Sequence, residues 1–83
     1  MIAMYFTAGW CPACKKFLPV VQEACISRNI SLEVYNAETD LAAFRQHQVQ
    51  KLPTLIVYDI AGAVVARVTS AVLADDLVDL LDG

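Results

Sequence analysis

The hydrophobic pattern of this sequence changes its period at residue 11, and this change limits the folds that the chain can adopt. Ile2–Thr7 is an almost unbroken apolar run, which is typical of a β-strand that is buried on both faces. Beyond Cys11 the apolar side chains recur at helical spacing, at Cys14, Leu18, Val21 and Cys25. This spacing predicts an amphipathic helix that ends near Arg28 and Asn29.

A second strand and a second helix follow from the same kind of pattern. Residues 31–35 alternate between polar and apolar side chains, as a half-buried strand at the edge of a sheet does. Thr39 or Asp40 is a suitable cap for a helix. The buried side of that helix is predicted to use Leu41 and Phe44.

The last part of the sequence predicts two strands and a helix. Thr54–Tyr58 is another continuous apolar run, and residues 64–69 alternate again. The glycine-containing segment between these two strands is typical of a hairpin connection. Ser70 can cap a last helix, whose inner side is predicted to consist of Leu73, Leu77, Leu80 and Leu81.

The order of these elements, βαβαββα, predicts a small three-layer α/β domain that occupies residues 1–83. Right-handed crossovers make the first two strands parallel neighbours. The two continuous apolar strands suit the middle of a four-stranded mixed sheet, and the two alternating strands suit its edges. Helices 1 and 3 are then expected on one face and helix 2 on the other. Hydrophobic residues make up 58% of the sequence, which supplies a core for so short a chain.

Charge, apolar segments and cysteine content exclude several classes of protein. The net charge of −3 argues against a nucleic-acid binder, which needs a basic face for phosphates. The most apolar stretch, residues 52–66, is shorter than the roughly 18–20 residues of a membrane-spanning helix. No secretory signal is visible, and three cysteines are unlike the even, dense set of a secreted disulfide-rich domain. We therefore expect a cytoplasmic monomer that binds neither nucleic acid nor membranes.

Two cysteines carry the chemistry that the sequence indicates. The segment where the first strand gives way to the first helix reads Trp10-Cys11-Pro12-Ala13-Cys14. Residues i and i+3 of a helical turn have Cα atoms about 5–6 Å apart, within the range of a disulfide. The unpaired N–H groups and the dipole of the helix N-terminus favour the thiolate form of Cys11. Cys14, one turn further in, is then placed to attack a mixed disulfide on Cys11.

Three other interpretations of this pair compete with a redox function. The pair could form a structural disulfide, although a reducing compartment disfavours one. It could belong to a metal site, for which only Cys25 and His47 remain as further ligands. It could also be two buried cysteines that match the spacing by chance. We favour the redox interpretation, because a CxxC beside a strand–helix–strand pattern is a specific signal.

Two prolines extend the pattern beyond the cysteine pair. Pro19 stands five residues after Cys14, and Leu52-Pro53-Thr54 leads into the second buried strand. Together with WCPAC after the first strand, these features resemble the thioredoxin superfamily over essentially the whole chain. The resemblance implies a thioredoxin-like fold, a helix bent at Pro19 and a cis peptide bond before Pro53.

The resemblance also implies a role for each residue of the site. Cys11 would be the nucleophile and Cys14 the resolving thiol, and the two would form a disulfide when oxidised. The surface that meets an extended substrate segment would consist of Trp10, Pro12, Leu52, Pro53 and Thr54, and no residue would bind a metal. The implied function is that of a thiol–disulfide oxidoreductase that reduces disulfides of other proteins.

The resemblance further implies partners but no bound cofactor. Electrons would come from a flavoprotein of the thioredoxin reductase type or from glutathione. The substrates would be disulfide-containing proteins such as a ribonucleotide reductase. Two alternatives stay open: a glutathione-dependent glutaredoxin, and a non-catalytic subunit that docks on a larger enzyme through Trp10 and Leu52.

Two departures from the family affect these implications. Thioredoxins carry a buried aspartate six residues before the first cysteine, where it is thought to help deprotonate the second thiol, and here that position is Tyr5. No Gly-Gly-Asp-type glutathione signature follows the last strand. The second departure favours reduction of protein disulfides over a glutathione-dependent reaction.

Overall fold

The computed structural model describes residues 1–82, and Gly83 lies outside the described residues. The elements are β1 (Ile2–Thr7), α1 (Pro12–Ser27), β2 (Ser31–Asn36), α2 (Leu41–Gln46), β3 (Thr54–Tyr58), β4 (Val64–Val68) and α3 (Ala74–Asp82). The predicted order βαβαββα is confirmed, and the two continuous apolar runs form strands over the predicted residues.

The four strands form one mixed sheet in the order β2-β1-β3-β4. β1 pairs with β2 in parallel, whereas the β1–β3 and β3–β4 pairs are antiparallel. The prediction that the continuous apolar strands lie in the middle is confirmed. In β3 the first four residues are all buried, whereas both edge strands are largely exposed. In the described part of the chain no helix has the length and apolarity needed to cross a bilayer.

The sheet has a hydrophobic core on each face. Tyr5 of β1 packs in a cluster with Val21 of α1 and Leu77 of α3. The next residue, Phe6, belongs to a second cluster with Phe44 of α2, and the two rings meet edge to face at a centroid distance of 5.0 Å. Because neighbouring residues of a strand point to opposite faces, α1 and α3 cover one face and α2 covers the other, as predicted.

The last helix begins later than the sequence predicts. It starts at Ala74, and its first hydrogen bond runs from the Leu77 N–H to the Leu73 carbonyl at 3.0 Å. Two aspartates fill its first turn, where the free N–H groups of a helix favour negative charge. Ser70 therefore lies in the loop after β4, and the prediction that it caps this helix is wrong.

This later start changes which leucines of the segment reach the core. Leu77 is fully buried and Leu81 is half-buried, but Leu73 is 75% exposed and Leu80 is also exposed. The prediction of four inner leucines is wrong for these two. Leu73 precedes the helix, so the stripe of α3 that packs against α1 and β4 is centred on Leu77.

The second helix also buries less than predicted. Phe44 is buried, but Leu41 is exposed, so the prediction of Leu41 as a core residue is wrong. α2 has six residues, and Phe44 alone of them is fully packed against the sheet. Asp40 is the N-cap residue, but its carboxylate accepts a hydrogen bond from the Asn36 N–H at 2.9 Å instead of capping the helix.

The position of α3 predicts a difference between two of its leucines. We expect Leu77→Ala to lower the free energy of unfolding by about 2–5 kcal/mol, because it leaves a cavity in a fully packed core. Leu73→Ala removes the same atoms from an exposed site, and we expect a change of less than about 0.5 kcal/mol. Urea denaturation of both variants measures the difference. Equal losses of unfolding free energy in the two variants would contradict the start of α3 at Ala74.

Candidate active site

Cys11 and Cys14 form a disulfide at the start of α1, directly beyond the end of β1. Their Cα atoms are 5.3 Å apart, as the spacing of one helical turn predicts. Cys11 is the N-cap residue of α1, and its Sγ accepts a hydrogen bond from the Cys14 N–H at 3.2 Å. The N-terminal end of α1 therefore directs an N–H group at the Cys11 sulfur, which is the interaction that favours a thiolate there.

The two cysteines differ in their access to solvent. Cys11 is 7% exposed and Cys14 is completely buried. Both pack in a small cluster with Ala8, which follows β1, and with Ala37 and Leu52. A partner that approaches from solvent therefore meets Cys11 first, and Cys14 is reached only through the disulfide that the two share.

The loop before β3 lies beside this pair. The Leu52–Pro53 peptide bond is cis, which is the isomer that the resemblance implies. Leu52 is half-buried against the cysteines, and Pro53 is buried. The Thr54 hydroxyl donates to the Lys51 carbonyl at 2.6 Å, so its side chain closes the loop from inside. Within residues 1–82 the backbone of Leu52 takes no part in the turn and loop hydrogen bonds.

A cavity of about 340 Å³ opens next to Cys11. Trp10 forms one side of it, and Leu52 and Lys51 form part of the other. The Trp10 side chain is 68% exposed, which is unusual for so large an apolar ring. Of the predicted substrate-binding residues, Trp10 and Leu52 thus line a common cavity with Cys11. Pro12 does not line it, because it is the first residue of α1 and is exposed on the helix surface.

Tyr5 lies behind the cysteine pair, in the middle of the sheet. Its hydroxyl donates a hydrogen bond to the Cys14 carbonyl at 2.7 Å, and its ring packs 6.0 Å from that of Phe17. Burial raises the pKa of Tyr5 to about 12, so the hydroxyl stays neutral at physiological pH. Tyr5 therefore ties the first turn of α1 to β1, but it supplies no carboxylate that could take a proton from Cys14.

Sequence reasoning identified the unusual residue at position 5 but missed its contact. A tyrosine within a fully buried strand needs a partner for its hydroxyl, and that requirement was the available signal. The partner is a backbone carbonyl nine residues away, which no side-chain pattern reveals.

A second contact that the sequence did not reveal fixes the loop between β1 and α1. The Glu38 carboxylate accepts a hydrogen bond from the Gly9 N–H at 3.2 Å. A Cβ atom at Gly9 would lie 3.0 Å from Glu38 Oε1, so the small residue allows this close approach. Glu38 follows Ala37, which packs against the cysteine pair, and the loop after β2 thereby reaches the active-site segment.

The remaining cysteine and the histidine of the metal alternative lie apart in the fold. Cys25 is a buried thiol in the core beneath α1, and burial raises its pKa, an effect that Arg28 partly offsets. His47 ends α2, where its Nδ1 lies 2.9 Å from the Tyr58 hydroxyl. Among residues 1–82, no three side chains of His, Cys, Asp or Glu come together in a way that could hold a metal ion.

A known protein family and two curated proteins match this chain. The family model for thioredoxin matches residues 1–83. A protein disulfide-isomerase of Zea mays is 34% identical over 83 residues, and a thioredoxin of Mycolicibacterium smegmatis is 34% identical over 70 residues. These matches cover 96% and 80% of this chain. The chain spans only 16% of the length of the isomerase and 62% of that of the bacterial thioredoxin.

Several solved structures have a similar fold. A malarial protein has a TM-score of 0.84 at 26% identity, with 98% of this chain and 92% of that chain covered. Thioredoxin-2, described as a component of the malaria parasite protein secretion machinery, has a TM-score of 0.87 at 26% identity, with 98% and 80% covered. Thioredoxin 1 of Thermosipho africanus has a TM-score of 0.89 over 99% and 91% of the two chains, and at 23% identity it supports the fold alone.

The hydrogen bond of Tyr5 predicts a loss of stability that a second tyrosine does not share. We expect Tyr5→Phe to lower the free energy of unfolding of the oxidised protein by about 1 kcal/mol, because it removes a buried hydrogen bond. Tyr35→Phe is the matched control, since the Tyr35 hydroxyl donates to an exposed carboxylate, and we expect less than about 0.5 kcal/mol. Urea denaturation measures both free energies of unfolding. Equal stability of the two variants would show that the hydrogen bond from Tyr5 to the Cys14 carbonyl does not stabilise the protein.

Proposed function

Since the chain belongs to the thioredoxin family, we propose that it is a thiol–disulfide oxidoreductase that reduces disulfides of other proteins. The observation that carries this proposal is the asymmetric cysteine pair at the start of α1. One sulfur lies at the surface end of the helix and accepts an N–H, and the other is buried one turn behind it. A structural disulfide does not require one accessible sulfur, whereas an exchange reaction does.

The proposed reaction has two exchange steps. In the first, the Cys11 thiolate attacks one sulfur of the substrate disulfide, that S–S bond breaks, and the leaving sulfur takes a proton from water. In the second, the Cys14 sulfur attacks the Cys11 sulfur, the mixed disulfide breaks, and the substrate sulfur that leaves takes the proton of the Cys14 thiol. Two electrons pass to the substrate, and the protein is left with the Cys11–Cys14 disulfide.

The surroundings of the pair support this sequence of events. Cys14 Sγ is shielded from solvent, so it meets a sulfur only after that sulfur is bound to Cys11. Leu52 offers free backbone groups beside the pair, where an extended substrate segment would find hydrogen-bond partners. Trp10 adds an exposed apolar ring to the same surface, and apolar exposure of this kind is typical of an interaction site.

Position 5 supplies no base for the proton of Cys14. The tyrosine at position 5 has a neutral hydroxyl that is already engaged as a donor to the Cys14 carbonyl. It therefore leaves the proton of the second thiol without a carboxylate acceptor at that position.

The electron source and the compartment belong to the same proposal. A flavoprotein of the thioredoxin reductase type would return the pair to the dithiol state, with glutathione as the alternative donor, and no cofactor would be bound by the chain. A reducing cytoplasm would keep the protein ready for the next substrate. Disulfide-containing proteins, including a ribonucleotide reductase, are the proposed partners.

A turbidity assay of insulin reduction tests the proposed activity. We expect reduction by the wild-type protein with NADPH and a thioredoxin reductase, and slower reduction with NADPH, glutathione and glutathione reductase. Cys11→Ser should lower the rate to the uncatalysed background, because it removes the nucleophile. Cys14→Ser should accumulate a mixed disulfide between Cys11 and the substrate, which mass spectrometry detects.

Cys25→Ala is the matched control, because it removes the buried thiol that has no part in the reaction. We expect it to retain the wild-type rate. Full insulin reduction by Cys11→Ser would exclude the proposed mechanism.

The reduction potential tests the direction of the reaction. Ala13 supplies no histidine between the cysteines to stabilise the thiolate strongly, so we expect a reductant with a potential between about −270 and −200 mV. Equilibration with glutathione redox buffers, followed by alkylation of free thiols and mass spectrometry, measures this value. A potential above about −150 mV would identify an oxidant and reject the assignment.

A further inference from the structure

The cavity at Cys11 does not end at the active site. It shares Phe44, Val49 and Gln50 with a cavity of about 710 Å³ that runs along α2. It also shares Gln50 and Lys51 with a third cavity, of about 190 Å³, which extends towards β4. The three cavities thus lie side by side around residues 48–52, and we call the surface that they form together the basic trough. Its name refers to the charges that line it.

Every charged side chain that lines the basic trough within the described residues is positive. Arg45 lines the part along α2, Arg67 lines the part near β4, and Lys51 lines both this part and the part next to Cys11. The whole chain has nine acidic and six basic residues, with a net charge of −3. Three of its six basic residues therefore lie along one surface of an acidic protein, and that surface begins at the reactive cysteine.

These charges differ in how firmly they are held. The Arg67 guanidinium donates to the carbonyls of His47 and Gln48, at 3.2 and 3.0 Å, and is fixed against the end of α2. Arg45 and Lys51 are exposed, and within residues 1–82 the ion pair that forms joins Arg28 to Asp82 and involves neither of them. Two positive charges of the basic trough are therefore available to a ligand.

The trough is also lined by apolar side chains. Trp10 and Leu52 border it at Cys11, and the side chains of Phe44 and Val49 continue it along α2. A segment that occupies the trough would therefore meet an apolar surface with a positive charge on its borders. Such a surface favours a segment that carries both apolar and acidic residues.

We propose that the basic trough selects the substrates of this protein, and that it binds an extended segment with apolar and acidic residues next to the disulfide to be reduced. The segment belongs to the substrate protein, because one of the cavities of the trough is the cavity of Cys11 and shares lining residues with the other two. Its apolar side chains pack against Trp10 and Phe44, and its carboxylates face Lys51 and Arg45. This inference rests on the proposed reductase function and adds a substrate preference to it.

Three disulfide peptides of matched sequence test the preference. Each carries an intramolecular disulfide and a neighbouring leucine, and they differ at one flanking position, which is Glu, Gln or Lys. The second-order rate of reduction by the dithiol protein is measured on acid-quenched samples by chromatography. We expect the Glu peptide to react at least about threefold faster than the Lys peptide at low salt, the size of an exposed ion-pair effect. High salt should reduce this ratio towards one.

Charge reversal in the trough provides the complementary measurement. We expect Lys51→Glu and Arg45→Glu each to lower the ratio of the Glu-peptide rate to the Lys-peptide rate, and the double variant to invert it. This ratio of rates stays the same when a variant loses activity equally towards both peptides. Lys16→Glu is the matched control, because Lys16 has the same charge and lines none of the three cavities, and it should retain the preference.

The possible results separate the inference from the function on which it rests. Equal rates for the three peptides at low salt would overturn the substrate preference and leave the reductase function intact. Failure to reduce any peptide would overturn both. Concentration-dependent dimerisation that Lys51→Glu abolishes, seen by sedimentation, would overturn the inference by making the trough a contact between two copies of this chain.

Discussion

The chemistry proposed for this protein depends on how the first turn of α1 is held over the end of β1. The turn is fixed from below by the Tyr5 hydroxyl, which donates to the Cys14 carbonyl, and by the packing of the Tyr5 ring near Phe17. It is fixed at its tip by Cys11, which caps the helix with its own sulfur. A rotation of the helix would break these contacts together, so the core of the sheet and the orientation of the disulfide are parts of one arrangement.

The same arrangement explains why the two cysteines differ although only two residues separate them. One helical turn places both residues on the same side of α1, with Cys11 at the end of the helix and Cys14 one turn further in. The loops after β2 and before β3 close around the pair through Ala37 and Leu52, and Cys11 alone of the two keeps a small exposed fraction, 7%. The loop before β3 also carries Lys51, which lines the cavity next to Cys11. The loops that shield Cys14 are therefore the loops that form part of the proposed substrate surface.

Much of the fold follows from local patterns. Two continuous apolar runs predicted the central strands with their bounds. The change of hydrophobic period after residue 11 predicted α1. The CxxC spacing at a predicted helix start placed the two cysteines within disulfide range, and the resemblance implied the bond that the structure contains. Predictions were wrong for Ser70, Leu73 and Leu80 around α3 and for Leu41 in α2. In a short amphipathic segment, the sequence pattern does not distinguish a leucine on the packed face of the helix from a leucine one position outside it. The burial of such a leucine depends on the residue at which the helix starts.

The amino-acid sequence by itself determined the order of the elements, the two faces of the sheet and the position of two cysteines one helical turn apart. These features rest on the periodicity of side chains along the chain, which is a local property. Tertiary structure decided which cysteine keeps some exposure, which group Tyr5 contacts, and that Arg45, Lys51 and Arg67 line neighbouring cavities, one of which contains Cys11. These contacts join residues that are distant in the chain, and only the packing of helices on both faces of the sheet brings them together.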